Sequence, residues 1–220
     1  MKIASLTGIL AGLTLIAACG NAGSSSSGHD HGHDHDVQFP ALETDLYWGL
    51  DTDHSRIGFT SIKSGEIIEN HSFQGIYGTI TPEGAVSVAI PLAEVETGID
   101  QRNERMQTMF FETEAHPTAS IEATIDPKAY EGLNVGERVE AELEGTLSLH
   151  GVEAPIIAKV AITRIGLDLV EVASAEPVIL YVEDFDLTAG LEALREIANL
   201  PAITPVVPVT FSFVFEAEHV

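Results

Sequence analysis

The sequence predicts an all-β domain built of eight or nine antiparallel strands with few helices. Two observations carry this prediction: apolar and polar residues alternate over many segments after residue 46, and Gly, Pro, Asp or Asn separates these segments. Such alternation is typical of strands with one buried and one solvated face, as in antiparallel sheets. Strands in this number usually close into a barrel or stack as two sheets, and the residues alone leave both arrangements open.

The most regular strand is predicted over residues 139–150. Its apolar or small residues, which share one face, are Val139, Ala141, Leu143, Gly145, Leu147 and Leu149. The same pattern predicts strands over 86–92, 156–162 and 209–215, and further candidates are 55–62, 73–80, 118–125, 167–173 and 178–183. Small inward residues such as Gly145 either leave space for a ligand or mark corners of a barrel, and the pattern does not separate the two.

Two segments depart from the alternation and predict short helices. Residues 100–110 mix charged residues with Met and Phe, and Thr97 or Asp100 is expected to cap the first turn. Residues 190–200 place apolar side chains at helical spacing and end before Pro201. Both segments are interpreted as crossings between strands that close the ends of a barrel.

The N-terminus predicts export and lipid attachment. One Lys precedes an uncharged apolar stretch that is short for a bilayer span and ends in small residues, as a signal peptide does. Residues 15–19, Leu-Ile-Ala-Ala-Cys, resemble the bacterial lipobox, in which the cysteine becomes the lipidated N-terminus. We expect a signal peptide over 1–18, lipidation at Cys19, a flexible tether over 19–45 and a folded domain over 46–220. The alternative is an ordinary secretory signal followed by an unmodified cysteine.

The predicted tether contains a tract of alternating His, Asp and Gly. Its imidazoles are His29, His31, His33 and His35. Imidazole and carboxylate groups together suit Zn²⁺, Ni²⁺ or Cu²⁺, but a flexible chain must be ordered around the ion. Weak, pH-dependent metal binding is therefore expected, and the alternative is a solvated spacer.

Charge excludes some classes of partner. The net charge of −24 becomes −25 when Lys2 is removed with the signal peptide. Because phosphate binding needs clustered Lys and Arg, nucleic acid is not expected as a partner. The same charge opposes adsorption to an anionic membrane surface, so attachment to a membrane would depend on the lipid at Cys19.

No set of residues predicts catalysis, and we expect a chain that is not an enzyme. Asp53, His54 and Ser55 are adjacent, but neighbouring side chains in a strand point to opposite faces, so a turn with local hydrogen bonds is the simpler interpretation. His116 and His150 stand beside turn residues and are expected to be exposed. With Cys19 lipidated, no thiolate remains for a metal site.

Candidate ligand-binding residues are the side chains expected to face the interior of the barrel. They are Phe59, Phe73, Tyr77, Ile90, Met106, Phe110, Phe111, Leu143, Gly145, Leu147, Phe211 and Phe213. Core packing explains any one of them. As a set they would line an apolar interior with few polar groups, which suits a hydrophobic small molecule such as a lipid chain.

Four motifs in chain order resemble the YceI-like family. They lie at residues 48–59 (Trp-Gly-Leu-Asp-Thr-Asp-His-Ser-Arg-Ile-Gly-Phe), 73–80 (Phe-Gln-Gly and Gly-Thr-Ile), 100–117 (Asp-Gln-Arg-Asn-Glu-Arg-Met, Phe-Phe-Glu and His-Pro) and 144–152 (Glu-Gly-Thr-Leu-Ser-Leu-His-Gly-Val). The chain departs from the family at residues 62–65, where members often have a histidine. The segment 190–200 and the His-rich tether also differ from the usual pattern.

The resemblance implies an eight-stranded, antiparallel, lipocalin-like barrel with one or two short helices that buries a long isoprenoid or similar lipid. We predict a lipid-anchored protein of the bacterial periplasm, with the outer membrane favoured over the inner. It would carry or store an isoprenoid-like or fatty-acyl lipid and require no cofactor. The alternative is a metal-handling lipoprotein that binds Zn²⁺, Ni²⁺ or Cu²⁺ through its tether. A homodimer is left open.

Overall fold

Twelve strands in residues 40–219, the part of the chain that the computed structural model describes, close into an antiparallel barrel of eight positions. In chain order they are β1 (Tyr47–Leu50), β2 (Arg56–Lys63), β3 (Ile67–Phe73), β4 (Tyr77–Ile80), β5 (Ala85–Pro91), β6 (Val95–Glu96), β7 (Thr118–Thr124), β8 (Arg138–Leu149), β9 (Val152–Arg164), β10 (Leu169–Ser174), β11 (Val178–Tyr181) and β12 (Val206–Glu218). Strand β12 pairs with β1 and β2 along one edge and with β10 and β11 along the other, which closes the ring. The predicted all-β, eight-stranded antiparallel barrel is therefore confirmed.

Two short strands, placed end to end, fill each of four barrel positions: β1 with β2, β3 with β4, β5 with β6, and β10 with β11. The prediction of one strand over 73–80 is wrong, because the chain turns between β3 and β4 with Gly75 at φ +64°. Strand β3 is absent from the sequence prediction because Glu69, His71 and Ser72 interrupt its apolar pattern. These polar residues matter for the site described below.

The long β8–β9 hairpin follows the predicted alternation. Burial alternates along β8, with the Val139–Leu149 set turned inward and the glutamates turned to solvent. The strands are joined by His150 and Gly151, whose φ angles of +53° and +78° are those of a two-residue type I′ turn. The turn thereby fixes the register that keeps the apolar face of β8 inside.

Two helices occur where the sequence predicts them. Helix α1 (Asp100–Arg105) continues into a π-helical turn (Met106–Phe110), and α2 spans Thr188–Ile197, while short 3₁₀ turns lie at Leu92–Glu94, Pro127–Tyr130 and Val182–Phe185. The predicted cap of α1 is wrong. Neither Thr97 nor Asp100 caps the helix; instead the Asn103 side-chain oxygen accepts bonds from the N–H and hydroxyl of Thr97, at 2.9 and 2.6 Å.

The barrel has two different ends. Helix α2 packs against the π-helical turn that continues α1, at the end where the β2–β3 and β8–β9 hairpins turn, which we call the helical end; there the α2 backbone at Gly190 nearly touches Met109. At the opposite end, which we call the Arg164 end, β9 finishes beside the loop that precedes β8. No helix within residues 40–219 has the length and apolar character needed to cross a membrane.

Candidate functional site

A cavity of about 570 Å³ runs through the barrel interior. Its wall is formed by inward residues of the strands and, at the helical end, by residues of both helices. This volume lies within the range of roughly 300–1,000 Å³ that small-molecule sites occupy. Most of the lining is aliphatic or aromatic, so the cavity is chemically suited to an apolar ligand.

Eleven of the twelve candidate ligand-binding residues lie on the cavity wall. They are Phe59, Phe73, Ile90, Met106, Phe110, Phe111, Leu143, Gly145, Leu147, Phe211 and Phe213. The aromatic members form a chain of contacts, with ring centroids 5.5 Å apart for Phe59–Phe73 and 5.7 Å for Phe73–Phe111. The alternating pattern thus brings together residues that are far apart in sequence.

Tyr77 does not belong to the cavity, and its assignment as a ligand-binding residue is corrected. Its side chain is 55% exposed. In β4 it pairs with Ala89 on the outer face, whereas Ile80 pairs with Val86 on the inner face. Because neighbouring strand residues alternate between faces, the break at residues 74–76 decides which residue of β4 points inward.

Gly145 lies on the cavity wall, but its lack of a side chain serves the packing of two strands and does not enlarge the cavity. A Cβ built at this position would be 2.9 Å from the Glu122 carbonyl oxygen of β7. Glycine therefore permits close approach of two strands, as at a bend in a barrel. Of the two interpretations that the sequence leaves open, the close approach is the one observed.

A cluster of polar residues interrupts the apolar wall toward the helical end. We call Ser61, Lys63, Glu69, His71 and Arg102 the polar cluster. Along the inner face of β2 and β3, apolar Ile57, Phe59 and Phe73 give way to these residues as the hairpin turn is approached. The sequence analysis missed the cluster, because β3 was not predicted and its inward face could not be assigned.

Hydrogen bonds within the polar cluster are incomplete. The Ser61 hydroxyl lies 2.9 Å from Nε2 of His71, and Arg102 Nη1 donates to both Glu69 carboxylate oxygens at 3.1 and 3.0 Å. Lys63 also donates to Glu69. Yet His71 Nδ1 and Arg102 Nε find no hydrogen-bond partner among residues 40–219, although both atoms are buried. Such orphaned groups cost free energy unless something else satisfies them.

The electrostatics of the polar cluster leave it positive. Burial, followed by the charge of Arg102, lowers the pKa of His71 and favours the neutral imidazole. The hydrogen bond from Lys63, with that from Arg102, lowers the pKa of Glu69 despite its partial burial. Three of the nine Lys and Arg residues between 40 and 219, namely Lys63, Arg102 and Arg105, line the cavity here. Only Glu69 opposes them directly within the polar cluster.

The Arg164 end is sealed by one buried cation. Arg164 is 2% exposed, and its guanidinium donates to the carbonyl oxygens of Pro40, Leu133, Gly166 and Leu167 at 2.7–3.2 Å. These four carbonyls belong to three separate loops. Leu42, 5% exposed, and Trp48, 7% exposed, also line the cavity, so the folded domain begins before residue 46.

The histidines outside the cavity differ in their exposure to solvent. His54 is exposed and contacts Asp51 at 2.7 Å within a local turn, as expected, whereas the Ser55 hydroxyl bonds to the backbone of Val214 in β12. His116 and His150 are not exposed, contrary to expectation; the His150 side chain is 14% accessible and its ring packs against that of His116 at an interplanar angle of 54°. The positive φ angles of the β8–β9 turn direct His150 onto the domain rather than into solvent.

Several predictions fall outside the described residues. These are the signal peptide over 1–18, lipidation of Cys19, most of the tether over 19–45, and the metal ligands His29, His31, His33 and His35.

Comparison with known proteins gives a consistent result. The model of the YceI-like domain family matches residues 48–215. A polyisoprenoid binding domain from Saccharophagus degradans, implicated in plant cell wall breakdown, is 35% identical with a TM-score of 0.77, covering 79% of this chain and 99% of that chain. BcnA from Burkholderia cenocepacia is 14% identical with a TM-score of 0.57, covering 75% and 98%, and shares the fold. No curated protein matches the chain.

Proposed function

Because this chain belongs to the YceI-like domain family, we propose that it binds one long-chain lipid, isoprenoid-like or acyl, inside its barrel and carries or stores it. The observation that supports the proposal is the cavity of about 570 Å³, whose wall is apolar except for the polar cluster. Burial of a lipid chain there would supply roughly 25 cal/mol per Å² of apolar surface. The similar domain from Saccharophagus degradans is described as polyisoprenoid-binding, which favours an isoprenoid chain over an acyl chain.

The chemistry of the wall orients the ligand. The apolar chain extends toward Trp48, and the head group lies at the polar cluster, where His71 and Arg102 line the cavity and each keeps one buried nitrogen without a hydrogen-bond partner among the described residues. Lys63, Arg102 and Arg105 favour an anionic head group that accepts hydrogen bonds, such as a phosphate or carboxylate. The head group would be held by hydrogen bonds and charge alone, without a covalent bond to the protein.

Anchoring and location complete the proposal. Cys19 carries the lipid anchor, and a tether of about 25 residues with a reach of roughly 25–30 Å holds the barrel clear of the outer membrane in the periplasm. Cys19→Ala should leave the protein soluble or uncleaved. A wild type that fractionates as a soluble protein without acyl chains would contradict the anchor but leave the barrel proposal standing.

A second function is supported by the four imidazoles within residues 29–35. The tether would capture Zn²⁺, Ni²⁺ or Cu²⁺ at neutral pH and release it near pH 5, as imidazoles with pKa about 6.5 take up protons. Deleting residues 29–36 should remove the share of the metal that the tether binds, without unfolding the barrel. Metal uptake that is unchanged in the deletion variant would contradict metal binding by the tether.

The barrel proposal is tested by titrating delipidated protein with geranylgeranyl phosphate, geranylgeraniol and palmitate. Trp48 is the single tryptophan of the chain and lines the cavity, so its fluorescence reports entry of a chain. We expect a saturable change for the isoprenoids, with the phosphate binding more tightly than the alcohol. Ligands that leave Trp48 unchanged and do not co-migrate with the protein would overturn the proposal.

Ala158→Leu provides the matched test of the cavity. Ala158 lines the cavity in β9, and a leucine there occupies space that a ligand needs. We expect at least about a tenfold loss of affinity, which corresponds to roughly 1.4 kcal/mol. Ala89→Leu is the control, because Ala89 faces outward opposite Tyr77 and its replacement should leave affinity unchanged.

A further inference from the structure

We propose that Glu112, His116 and His150 form a binding site for a divalent transition-metal ion such as Zn²⁺ at the helical end of the barrel. Each residue offers one ligand atom, and the three atoms lie within 4.8 Å of one another. Two imidazoles and a carboxylate form the ligand set of many metal sites that keep a further position for water. This site is distinct from both the polar cluster and the His tract.

The hydrogen-bonding geometry around His150 is compatible with a bound cation. Nδ1 of His150 lies 3.3 Å from the Phe185 carbonyl oxygen, which can only accept a hydrogen bond, so this nitrogen carries the proton. In a neutral ring, Nε2 then turns a lone pair toward Oε2 of Glu112, 3.2 Å away. Two acceptors face each other at this distance only when a proton or a metal ion lies between them.

The distance between these two ligand atoms also fits a shared metal ion. Two ligand atoms that each lie 2.0–2.1 Å from Zn²⁺ in tetrahedral geometry are separated by roughly 3.3 Å, close to the 3.2 Å observed between His150 and Glu112. A bridging proton would satisfy these two groups but give no role to His116, whose ring centroid is 4.5 Å from that of His150. A metal ion uses all three residues.

The backbone is built to bring these side chains together. Glu112 and His150 both adopt positive φ angles, +49° and +53°, which are unfavourable for residues other than glycine. A Cβ at Gly151 would lie 2.9 Å from Cε1 of His116, so only glycine lets that ring approach the turn. The Phe185 carbonyl also orients His150 as a second-shell acceptor orients a metal-bound histidine.

A metal ion here would join separate segments that close the helical end. Glu112 follows the π-helical turn, His116 precedes β7, and His150 belongs to the β8–β9 turn and contacts the 3₁₀ turn Val182–Phe185. Phe111 and Leu149, the neighbours of Glu112 and His150, line the lipid cavity. Metal binding should therefore stabilise the wall of the cavity, and the melting temperature should rise with Zn²⁺ concentration.

The test uses the full chain with His29, His31, His33 and His35 replaced by serine, so that the tether contributes no imidazole. Isothermal titration calorimetry with Zn²⁺ should give one site, and Mg²⁺, which prefers oxygen ligands, should not compete. Glu112→Gln and His116→Gln should each weaken Zn²⁺ binding at least about tenfold and abolish the Zn²⁺-dependent rise in melting temperature.

His54→Gln is the matched control. His54 also contacts a carboxylate, but it is exposed and lies outside the three-residue group, so its replacement should leave Zn²⁺ binding unchanged. Glu112 is itself 58% accessible, so Glu112→Gln should fold even if His116→Gln does not. The proposal fails if the tether-substituted chain takes up no Zn²⁺, or if Glu112→Gln binds Zn²⁺ as tightly as its parent.

Discussion

Arg164 and His71 are both buried polar side chains in a barrel with an apolar interior, yet their surroundings differ. Arg164 directs its guanidinium to four carbonyl oxygens that close its end of the barrel. His71 is 7% exposed and shares one hydrogen bond with Ser61, while its other ring nitrogen is buried without a partner in residues 40–219. The satisfied group stabilises the fold, whereas the unpartnered group beside the cavity is available to a ligand, as the proposed function requires.

The strongest test of this contrast is Arg164→Met. Methionine fills much of the space but removes four hydrogen bonds from a charged donor, one of them to the buried Leu133 carbonyl, so we expect a loss of about 3–5 kcal/mol in unfolding free energy. Urea unfolding measures the change. Arg138→Met is the control, because Arg138 is 57% exposed and its loss should cost less than about 1 kcal/mol. Equal stability of the two variants would remove the structural role given to Arg164.

The double variant Ser61→Ala/His71→Leu tests the other half of the contrast. It removes both hydrogen-bonding partners together, and such replacements are often nearly neutral for stability. We expect the unfolding free energy of delipidated protein to change by less than about 1 kcal/mol. Affinity for geranylgeranyl phosphate should fall about tenfold, whereas that for geranylgeraniol should fall less. A large loss of stability with unchanged affinity would make His71 a structural residue like Arg164.

The pH dependence of the unfolding free energy gives a further test of the difference between His71 and Arg164, although the expected effect is smaller. Because burial lowers the pKa of His71, the unfolded chain takes up a proton at higher pH than the folded chain. The stability contributed by the neutral ring is present above about pH 6.5 and is lost as the pH falls below it, by at most about 1.36 kcal/mol per pH unit. Urea midpoints of the wild type should show this slope, and those of the His71→Leu double variant should show less of it. Identical slopes would contradict the effect.

The sequence predicts the barrel because its signal is local. Alternation along β8, β9 and β12 marks the inward face of each strand, and turn residues such as His150 and Gly151 separate the strands. The same signal identifies Phe59, Phe211 and most other wall residues. It fails at Tyr77 because a break of three residues shifts the face, and no pattern in the sequence fixes that register.

The polar cluster could not be predicted from the sequence in this way. Ser61 and Lys63 share a face with Phe59, which could have marked a polar stretch on an inward face. Glu69 and His71, however, lie in a strand whose middle residues, 69–72, are all polar, and Arg102 reaches Glu69 from a helix 33 residues further along the chain. The group of Glu112, His116 and His150 could not be predicted either, because turns and packing bring together residues that have no regular spacing in the sequence.

Native mass spectrometry of the wild type and Ala158→Leu, both purified from the native host without denaturant, tests the central claim most directly. The account predicts that the wild type carries one copy of a long-chain lipid with an anionic head group. It predicts that Ala158→Leu carries little or none while Ala89→Leu retains it. The claim that the barrel is a lipid-binding site would be contradicted if the wild type carries no lipid and its Trp48 fluorescence does not change when geranylgeranyl phosphate is added.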